Sequence, residues 1–273
     1  MLVLSPRLFR GLFILLCVVA PPMAAAAHEF WIDPVQFRLE ASEEITANLR
    51  IGQEFKGDAY PFLPARSKGT WTVDADGMRP WRAQIGDMPA VNEAPGPSGL
   101  HVLSYYSTPS RLTYSEPGKF AKFLDESGLN WALEEHRQRG FEEVGFDEAF
   151  TRCAKALVQS GEGDGEDVII GMPIELVANA NPYELTLTDA VMPVMLLWQG
   201  EPLADAQITV FRLKDELDIT EVQTGPDGGA LIPLAGGGKF LLNAVHIIPW
   251  DEQPDDVWHS YWASLTFEIS TAP

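Results

Sequence analysis

The junction between Ala27 and His28 has the clearest potential chemistry in the sequence, because cleavage there would leave a histidine as the first residue of the mature protein. Two arginines and then an apolar run at residues 12–20 precede the triplet Ala25-Ala26-Ala27, which fits an A-x-A-like signal-peptidase site. Cleavage would free the α-amine of His28 beside its Nδ1 atom. These two nitrogens can close a six-membered chelate ring around a divalent transition metal, which no internal histidine can do.

The leader is expected to be removed. Its apolar run is shorter than the roughly 20 residues that a membrane span needs, and Pro21-Pro22 interrupt it. We therefore predict that residues 1–27 are a cleaved signal peptide, that the mature chain is periplasmic, and that it does not span the membrane.

The net charge of the chain limits the classes of partner that it is expected to bind. The 273 residues include 19 basic and 39 acidic side chains, which give a formal net charge of −20. Such a field repels nucleic acid and concentrates cations. We expect no nucleic-acid partner, and a cationic ligand is favoured, although a solvated acidic surface would also account for the charge.

Four residues are the candidate metal ligands: His28, His246, His259 and Asp33. His246 lies near the end of a predicted strand that is apolar on both faces, so its imidazole is either hydrogen-bonded in the core or a ligand. His259 begins the last predicted strand at the same end of the sheet, so the two histidines could converge, or His259 could lie half-exposed at a strand edge. Asp33 follows His28 in the sequence. Further acidic candidates are Glu29, Asp251 and Glu252.

Hydrophobic periodicity divides the mature chain into three segments. Short alternating runs between turns predict an N-terminal β domain at residues 28–116. A helical period then predicts a helical insertion and an acidic, flexible linker at residues 117–167. The β pattern returns at residues 168–273 with the spacing of an immunoglobulin-like β-sandwich. The predicted fold class is mostly β, with two antiparallel β-sandwich-like domains and a helical insertion between them.

Three other residues receive structural interpretations. His101 is expected to pack within a strand of the first domain. His136 has no histidine one helical turn away and is expected on a solvated helix face. Cys153 is the sole cysteine after the leader, which excludes an intramolecular disulfide, and it lies on a predicted helical stripe running from Phe146 to Leu157, where a small buried role is expected.

The C-terminal segment resembles a transthyretin-like or Cna-B-type immunoglobulin-like module. The resemblance rests on turn-and-strand motifs at residues 200–210, 225–234 and 238–244. It implies a seven-strand Greek-key sandwich. Such modules usually have structural or binding roles, which favours a binding protein over an enzyme.

The mature chain as a whole resembles the bacterial domain-of-unknown-function 4198 (DUF4198) family. Four segments carry the resemblance in the same order, at residues 27–34, 152–157, 243–249 and 260–268. The resemblance implies a periplasmic component of a nickel or cobalt uptake system. His28 and His246 match histidines that are typical of the family pattern.

These observations favour a periplasmic protein that captures nickel or cobalt and passes it to an inner-membrane metal permease. Copper also suits a nitrogen-rich ligand set, so the ligands alone do not identify the metal. Metal capture should weaken below neutral pH, because the α-amine has a reference pKa of about 7.7–8.0.

Two alternatives use other features of the chain. In the first, the protein is a non-metal binding or adhesion module in which surface tryptophans, best represented by Trp258 and Trp262, stack on a sugar or a partner protein, although core positions are more common for tryptophan in sandwiches. In the second, His28 and another histidine form an oxygen-activating copper brace. We expect no catalysis, because the sequence contains no nucleophile elbow, phosphate loop, zincin motif or paired-cysteine zinc site.

Overall fold

The computed structural model describes residues 28–185, 191–250 and 256–270. The predicted leader and the acidic candidates Asp251 and Glu252 lie outside these residues. None of the helices within these ranges has the length and apolar character needed to cross a membrane.

Most of the described residues belong to strands. Those before residue 161 are β1 (Glu29–Pro34), β2 (Arg38–Leu39), β3 (Ile45–Gln53), β4 (Lys56–Tyr60), β5 (Ser67–Asp74), β6 (Gly77–Pro80), β7 (Val91–Glu93), β8 (Gly99–Ser107), β9 (Ser110–Tyr114) and β10 (Phe146–Ser160). Those that follow are β11 (Ile174–Ala178), β12 (Val191–Trp198), β13 (Glu201–Pro202), β14 (Gln207–Leu213), β15 (Leu217–Gln223), β16 (Gly229–Pro233), β17 (Gly238–Pro249) and β18 (Asp256–Ile269). The helices are a 3₁₀ turn at Pro64–Arg66, α1 (Lys119–Glu126) and α2 (Asn130–Gln138).

The strands form three sheets. A central ten-stranded sheet has the order β15-β14-β17-β18-β10-β8-β5-β6, and β2 and β9 also pair with β10. One four-stranded sheet contains β1, β3, β4 and β7, and the other contains β11, β12, β13 and β16. Pairing is antiparallel except that β10 runs parallel to β18 and β2. The predicted fold class is confirmed: the protein is mostly β, built from packed antiparallel sheets with two helices inserted between strands.

The two small sheets cover opposite faces of the central sheet. Successive residues of a strand point to opposite faces, and in β10 Leu157 packs in the core against the β11-β12 sheet, whereas Val158 packs in the core against the β1-β3 sheet. The helices cover the same face as the β1-β3 sheet, farther along, where Phe120 of α1 lies near the ring of Trp258 in β18.

The prediction of a helix from Phe146 to Leu157 is wrong, because these residues belong to β10. The strand is central in its sheet and is covered on both faces, so it carries apolar residues at odd and even positions alike. Such a run satisfies helical spacing by coincidence, and periodicity alone cannot distinguish the two. The buried role of Cys153 is nevertheless confirmed, since its side chain lies in the core as a free thiol.

The predicted acidic linker is anchored to the core. Its last residue, Asp167, forms a buried ion pair with Lys155 of β10. The central sheet also draws strands from each of the three predicted segments. The division into domains at residues 116 and 167 stays a prediction.

Candidate functional site

His28 lies immediately before β1, on the side of the central sheet that the β1-β3 sheet covers. Its carbonyl oxygen accepts a hydrogen bond of 3.0 Å from the guanidinium of Arg152 in β10. The same guanidinium lies 4.8 Å from the ring centroid of Phe150 and 5.7 Å from that of Phe30. The main chain of His28 is therefore fixed to the central strand of the protein.

The next residue, Glu29, opens onto a cleft of about 290 Å³ that we call the acidic cleft. Its charged lining residues are Glu29, Glu54, Lys119, Lys122, Glu126 and Glu221. Burial raises the pKa of Glu29 to about 7, and the negative charges of Glu126 and Glu54 add to the rise. Its Oε2 atom is buried without a hydrogen-bond partner among the described residues. A cation at this position would relieve both the repulsion and the missing contact.

Asp33 lies too far along β1 to join His28. They are five positions apart in the sequence, and a strand rises about 3.3 Å per residue, so their Cα atoms are about 16 Å apart. The Asp33 carboxylate also forms an ion pair with Arg50, with 2.5 Å between Oδ2 and Nε. This aspartate therefore does not complete a ligand set with His28.

His246 and His259 lie on the opposite face of the central sheet from His28. The strands β17 and β18 pair His246 with Tyr261 and Ile248 with His259. The two histidines are therefore diagonal neighbours on one face, a relation that separates Cβ atoms by about 7–8 Å. Their predicted proximity is found, but β10 and its neighbours separate them from His28.

The imidazole of His259 is held by polar contacts on both sides. Its Nε2 atom lies 2.9 Å from the hydroxyl of Thr151, and its Nδ1 atom lies 3.2 Å from that of Tyr261. Burial and, to a smaller extent, the positive charge of Lys68 lower the pKa of His259 to about 4. Burial also lowers the pKa of His246. Both imidazoles are thus neutral at pH 7, the form that binds metals, but His259 would have to give up a hydrogen bond to do so.

The four predicted ligands do not form one site. Across residues 28–185, 191–250 and 256–270, no group of three or more His, Cys, Asp or Glu side chains is close enough together to hold a metal. The α-amine of a processed His28 would be a donor in addition to these side chains.

The remaining histidines are structural. His101 is fully buried as predicted, with Nδ1 3.1 Å from Asp74 and Nε2 2.9 Å from the carbonyl oxygen of Pro97. The prediction that His136 is on the surface is wrong. Its ring is buried, Nδ1 accepts a hydrogen bond of 3.0 Å from Trp258, and Nε2 lies 2.9 Å from the carbonyl oxygen of Glu142. The polar sequence of α2 did not indicate that His136 is buried, because its partner Trp258 is distant in the chain.

Trp258 and Trp262 cannot be surface stacking platforms, since their side chains are buried, with 0% and 7% exposure. Half-buried rings instead line a cleft of about 570 Å³ on the face of His259, which we call the aromatic cleft. Its aromatic and charged lining residues are Lys68, Tyr106, Trp198, Trp250, His259 and Tyr261.

Two pairs of rings in the aromatic cleft contact edge to face, whereas His259 stacks on Tyr261 with 4.1 Å between centroids. Trp198 meets Tyr261 at 4.7 Å between centroids, and Trp250 meets His259 at 4.7 Å. Both tryptophans lie at the ends of strands. Trp198 is the last residue of β12, and Trp250 comes directly after β17. Sequence analysis missed this cleft because its lining residues come from β5, β8, β10, β12, β18 and nearby loops, which are far apart in sequence.

Comparisons with solved structures find similar chains at low identity. They include a tetra-tandem repeat in the extending region of a large adhesion protein (11% identity, TM-score 0.23, 89% of this chain and 50% of that one), the BSP domain of a biofilm-associated protein (11%, 0.19, 88% and 30%) and the D0-D1 domain of intimin (11%, 0.21, 89% and 98%). The chain thus spans half of the first and less than a third of the second. No curated protein matches it.

A family model gives the identification. The model described as "Domain of unknown function (DUF4198)" matches residues 25–248, which include β1 with His28 and most of β17 with His246. The match spans most of the chain, and this protein therefore belongs to the DUF4198 family.

Proposed function

We propose that the processed protein captures a divalent transition metal at its N-terminus, with His28 as the chelating residue. The observation that supports this proposal is the neighbouring carboxylate of Glu29, which is buried, faces other carboxylates and has an oxygen without a partner among the described residues. A bound cation would supply the missing positive charge.

The ligand set differs from the one that the sequence suggested. His28 would contribute its α-amine and Nδ1, and Glu29 would contribute a carboxylate oxygen from the next residue. His246, His259 and Asp33 would not take part, because they lie on another face or farther along β1. The bond from Arg152 to the His28 carbonyl limits the movement of this terminus, which favours binding by lowering the entropy lost.

The proposal extends to location and partner. The predicted signal peptide would export the chain to the periplasm, and the family resemblance makes nickel or cobalt the cargo and an inner-membrane permease the recipient. The immunoglobulin-like module proposed for residues 168–273 would then act as scaffold for the central sheet.

Calorimetric titration of Ni(II), Co(II), Cu(II) and Zn(II) tests the chelate. The protein should begin at His28, and the matched control carries one additional alanine before it, which blocks the chelate and leaves every side chain in place. Tight binding to the first form and its loss in the second are expected. Equal affinity in the two forms, or no binding to either, would refute the proposal.

The aromatic cleft supports a second candidate, a periplasmic binding module for a saccharide. Sugar rings stack on indole and phenol faces and place hydroxyl groups against polar edges, and this cleft offers Trp198, Trp250 and Tyr261 beside the amine of Lys68. Tryptophan fluorescence titrated with a panel of neutral and uronic oligosaccharides tests this function. Saturable quenching that Trp250→Ala abolishes is expected, and a panel without any response would remove the candidate.

A further inference from the structure

A small pocket between the β1-β3 sheet and the central sheet is positively charged, although the chain as a whole has a formal net charge of −20. Its volume is about 110 Å³, and none of the described residues that line it is acidic. We call it the arginine pocket, because two guanidinium groups line it together with hydroxyl groups. Its polar lining residues are Arg66, Arg152, Tyr60, Tyr105, Ser107 and Ser110.

The half-buried Arg152 of β10 carries a charge that no carboxylate of the described ranges pairs with. Its guanidinium donates instead to a neutral acceptor, the carbonyl oxygen of His28, at 3.0 Å. Burial lowers the pKa of Arg152 to about 10, and the charge of Glu29 is the smallest of the effects that oppose this. Other arginines do form ion pairs with carboxylates, namely Arg50, Arg79, Arg111 and Arg212. A guanidinium withdrawn from water without such a partner is stabilised by a bound anion.

Arg66 brings a second positive charge to the same pocket. It is the exposed last residue of the 3₁₀ turn, and its Nη1 atom lies 3.5 Å from the hydroxyl oxygen of Ser110. Its carbonyl oxygen accepts a hydrogen bond of 2.9 Å from the hydroxyl of Tyr105. Burial raises the pKa of Tyr105 to about 12, so this phenol is neutral at pH 7 and does not supply a negative charge. Two like charges therefore line one small pocket, and an anion between them would relieve their repulsion.

The pocket also offers a neutral donor and enough room for a small ion. The hydroxyl oxygen of Ser107 accepts a hydrogen bond of 2.8 Å from the backbone N–H of Arg152, which leaves its own proton available to donate. The ring centroid of Phe150 lies 4.8 Å from the guanidinium carbon of Arg152. The volume is several times the roughly 30 Å³ that one water molecule occupies in the liquid, so an ion of about five heavy atoms fits.

We propose that the arginine pocket binds a small oxyanion, either inorganic phosphate or the carboxylate of a small organic acid. A planar guanidinium presents parallel N–H donors that match two oxygens of such an ion. Arg152 would hold the ion at the inner end of the pocket, and Arg66 would hold it on the side that is open to solvent. The proposal is independent of metal capture, because the arginine pocket and the acidic cleft share no lining residue among those described.

Calorimetric titration of the processed chain with sodium phosphate, sodium acetate and sodium chloride, at constant ionic strength, tests the site. Saturable one-to-one binding of phosphate or acetate is expected, and the tighter of the two identifies the class of anion. Chloride should bind more weakly, because a single atom cannot match the two donors of a guanidinium fork. No saturable binding of either oxyanion at millimolar concentrations overturns the proposal, and so does chloride binding as tight as that of both oxyanions.

Three variants locate the binding. Arg152→Gln should weaken it by at least about tenfold, because a charge-assisted hydrogen bond is lost. Arg66→Gln should also weaken it, and this exposed position keeps the test valid if Arg152→Gln does not fold. Arg137→Gln is the matched control, since it removes the same charge from an exposed position of α2 outside the pocket, and it should keep the wild-type affinity. Unchanged affinity in Arg66→Gln, or an equal loss in Arg137→Gln, overturns the proposal.

Discussion

The carboxyl group of Glu148 should make the stability of this protein depend on pH. Glu148 lies in β10, fully buried beneath the helices, where Oε2 accepts a hydrogen bond of 2.7 Å from Tyr114 and Oε1 accepts one from Ser260. Burial raises its pKa from 4.5 to about 7, although these two donors oppose the rise.

The sign and size of the effect follow from proton linkage. A raised pKa means that the folded state binds the proton more tightly than the unfolded state does, so the stabilisation is complete below pH 4.5 and is lost as pH rises through 7. Each pKa unit corresponds to about 1.4 kcal/mol. Between about pH 5 and about pH 8 the carboxyl group should therefore cost the folded protein about 2 to 3 kcal/mol.

Glu148→Gln isolates this contribution, because glutamine keeps the shape and neutrality of the protonated acid. Relative to wild type, the variant should gain stability as pH rises: its free energy of unfolding minus that of wild type should be about 2 to 3 kcal/mol larger near pH 8 than near pH 5, as measured by urea denaturation. Glu143→Gln, at an exposed position just before β10, is the control and should show no such difference. A Glu148→Gln effect equal at the two pH values would refute the reasoning, since other buried acids such as Glu29 cancel in the comparison.

Three further predictions concern other buried groups. Affinity of the protein starting at His28 for Ni(II) should fall by about 400-fold in total as pH drops from about 8 to about 6, because the α-amine, with a reference pKa of about 7.8, and Glu29, whose pKa is about 7, must both lose protons. Calorimetry at constant ionic strength would show this, and an unchanged affinity would contradict it. His136→Leu should destabilise the protein by about 1–3 kcal/mol in urea denaturation, because the buried Trp258 N–H loses its acceptor; a change below about 0.5 kcal/mol would mean that the bond is unimportant. Cys153, with its pKa raised by burial to about 12, should resist iodoacetamide in the native protein and react once urea unfolds it; rapid labelling of the native thiol would show that the strand opens.

Local sequence patterns predicted much of the fold because the spacing of apolar residues indicates which face of a strand or helix is buried. The strands β3, β14 and β17 show clear alternation or bounded apolar runs, and α1 places Phe120, Phe123 and Leu124 on one side. The strand β10 escaped prediction because both its faces are buried, which removes the alternation that marks a strand.

The candidate site was predicted in parts. The ends of the two predicted strands indicated that His246 and His259 could converge, and the pairing of β17 with β18 makes them diagonal neighbours on one face. It could not show that β1 packs against the other face of the sheet, which separates His28 from both. The aromatic cleft depends on Trp198 and Trp250, whose proximity arises from contacts between strands far apart in sequence.

The place of β18 in the central sheet has a consequence for how the protein is made. This strand comes last in sequence among the described strands, yet it lies between β17 and β10. Until it emerges from the ribosome, the sheet exists as two incomplete fragments, one ending at an open β10 edge and the other at an open β17 edge. Such edges are templates for pairing with other chains. Synthesis that stops short of residue 256 should therefore yield polypeptides that aggregate, and the growing chain needs protection until β18 has been made.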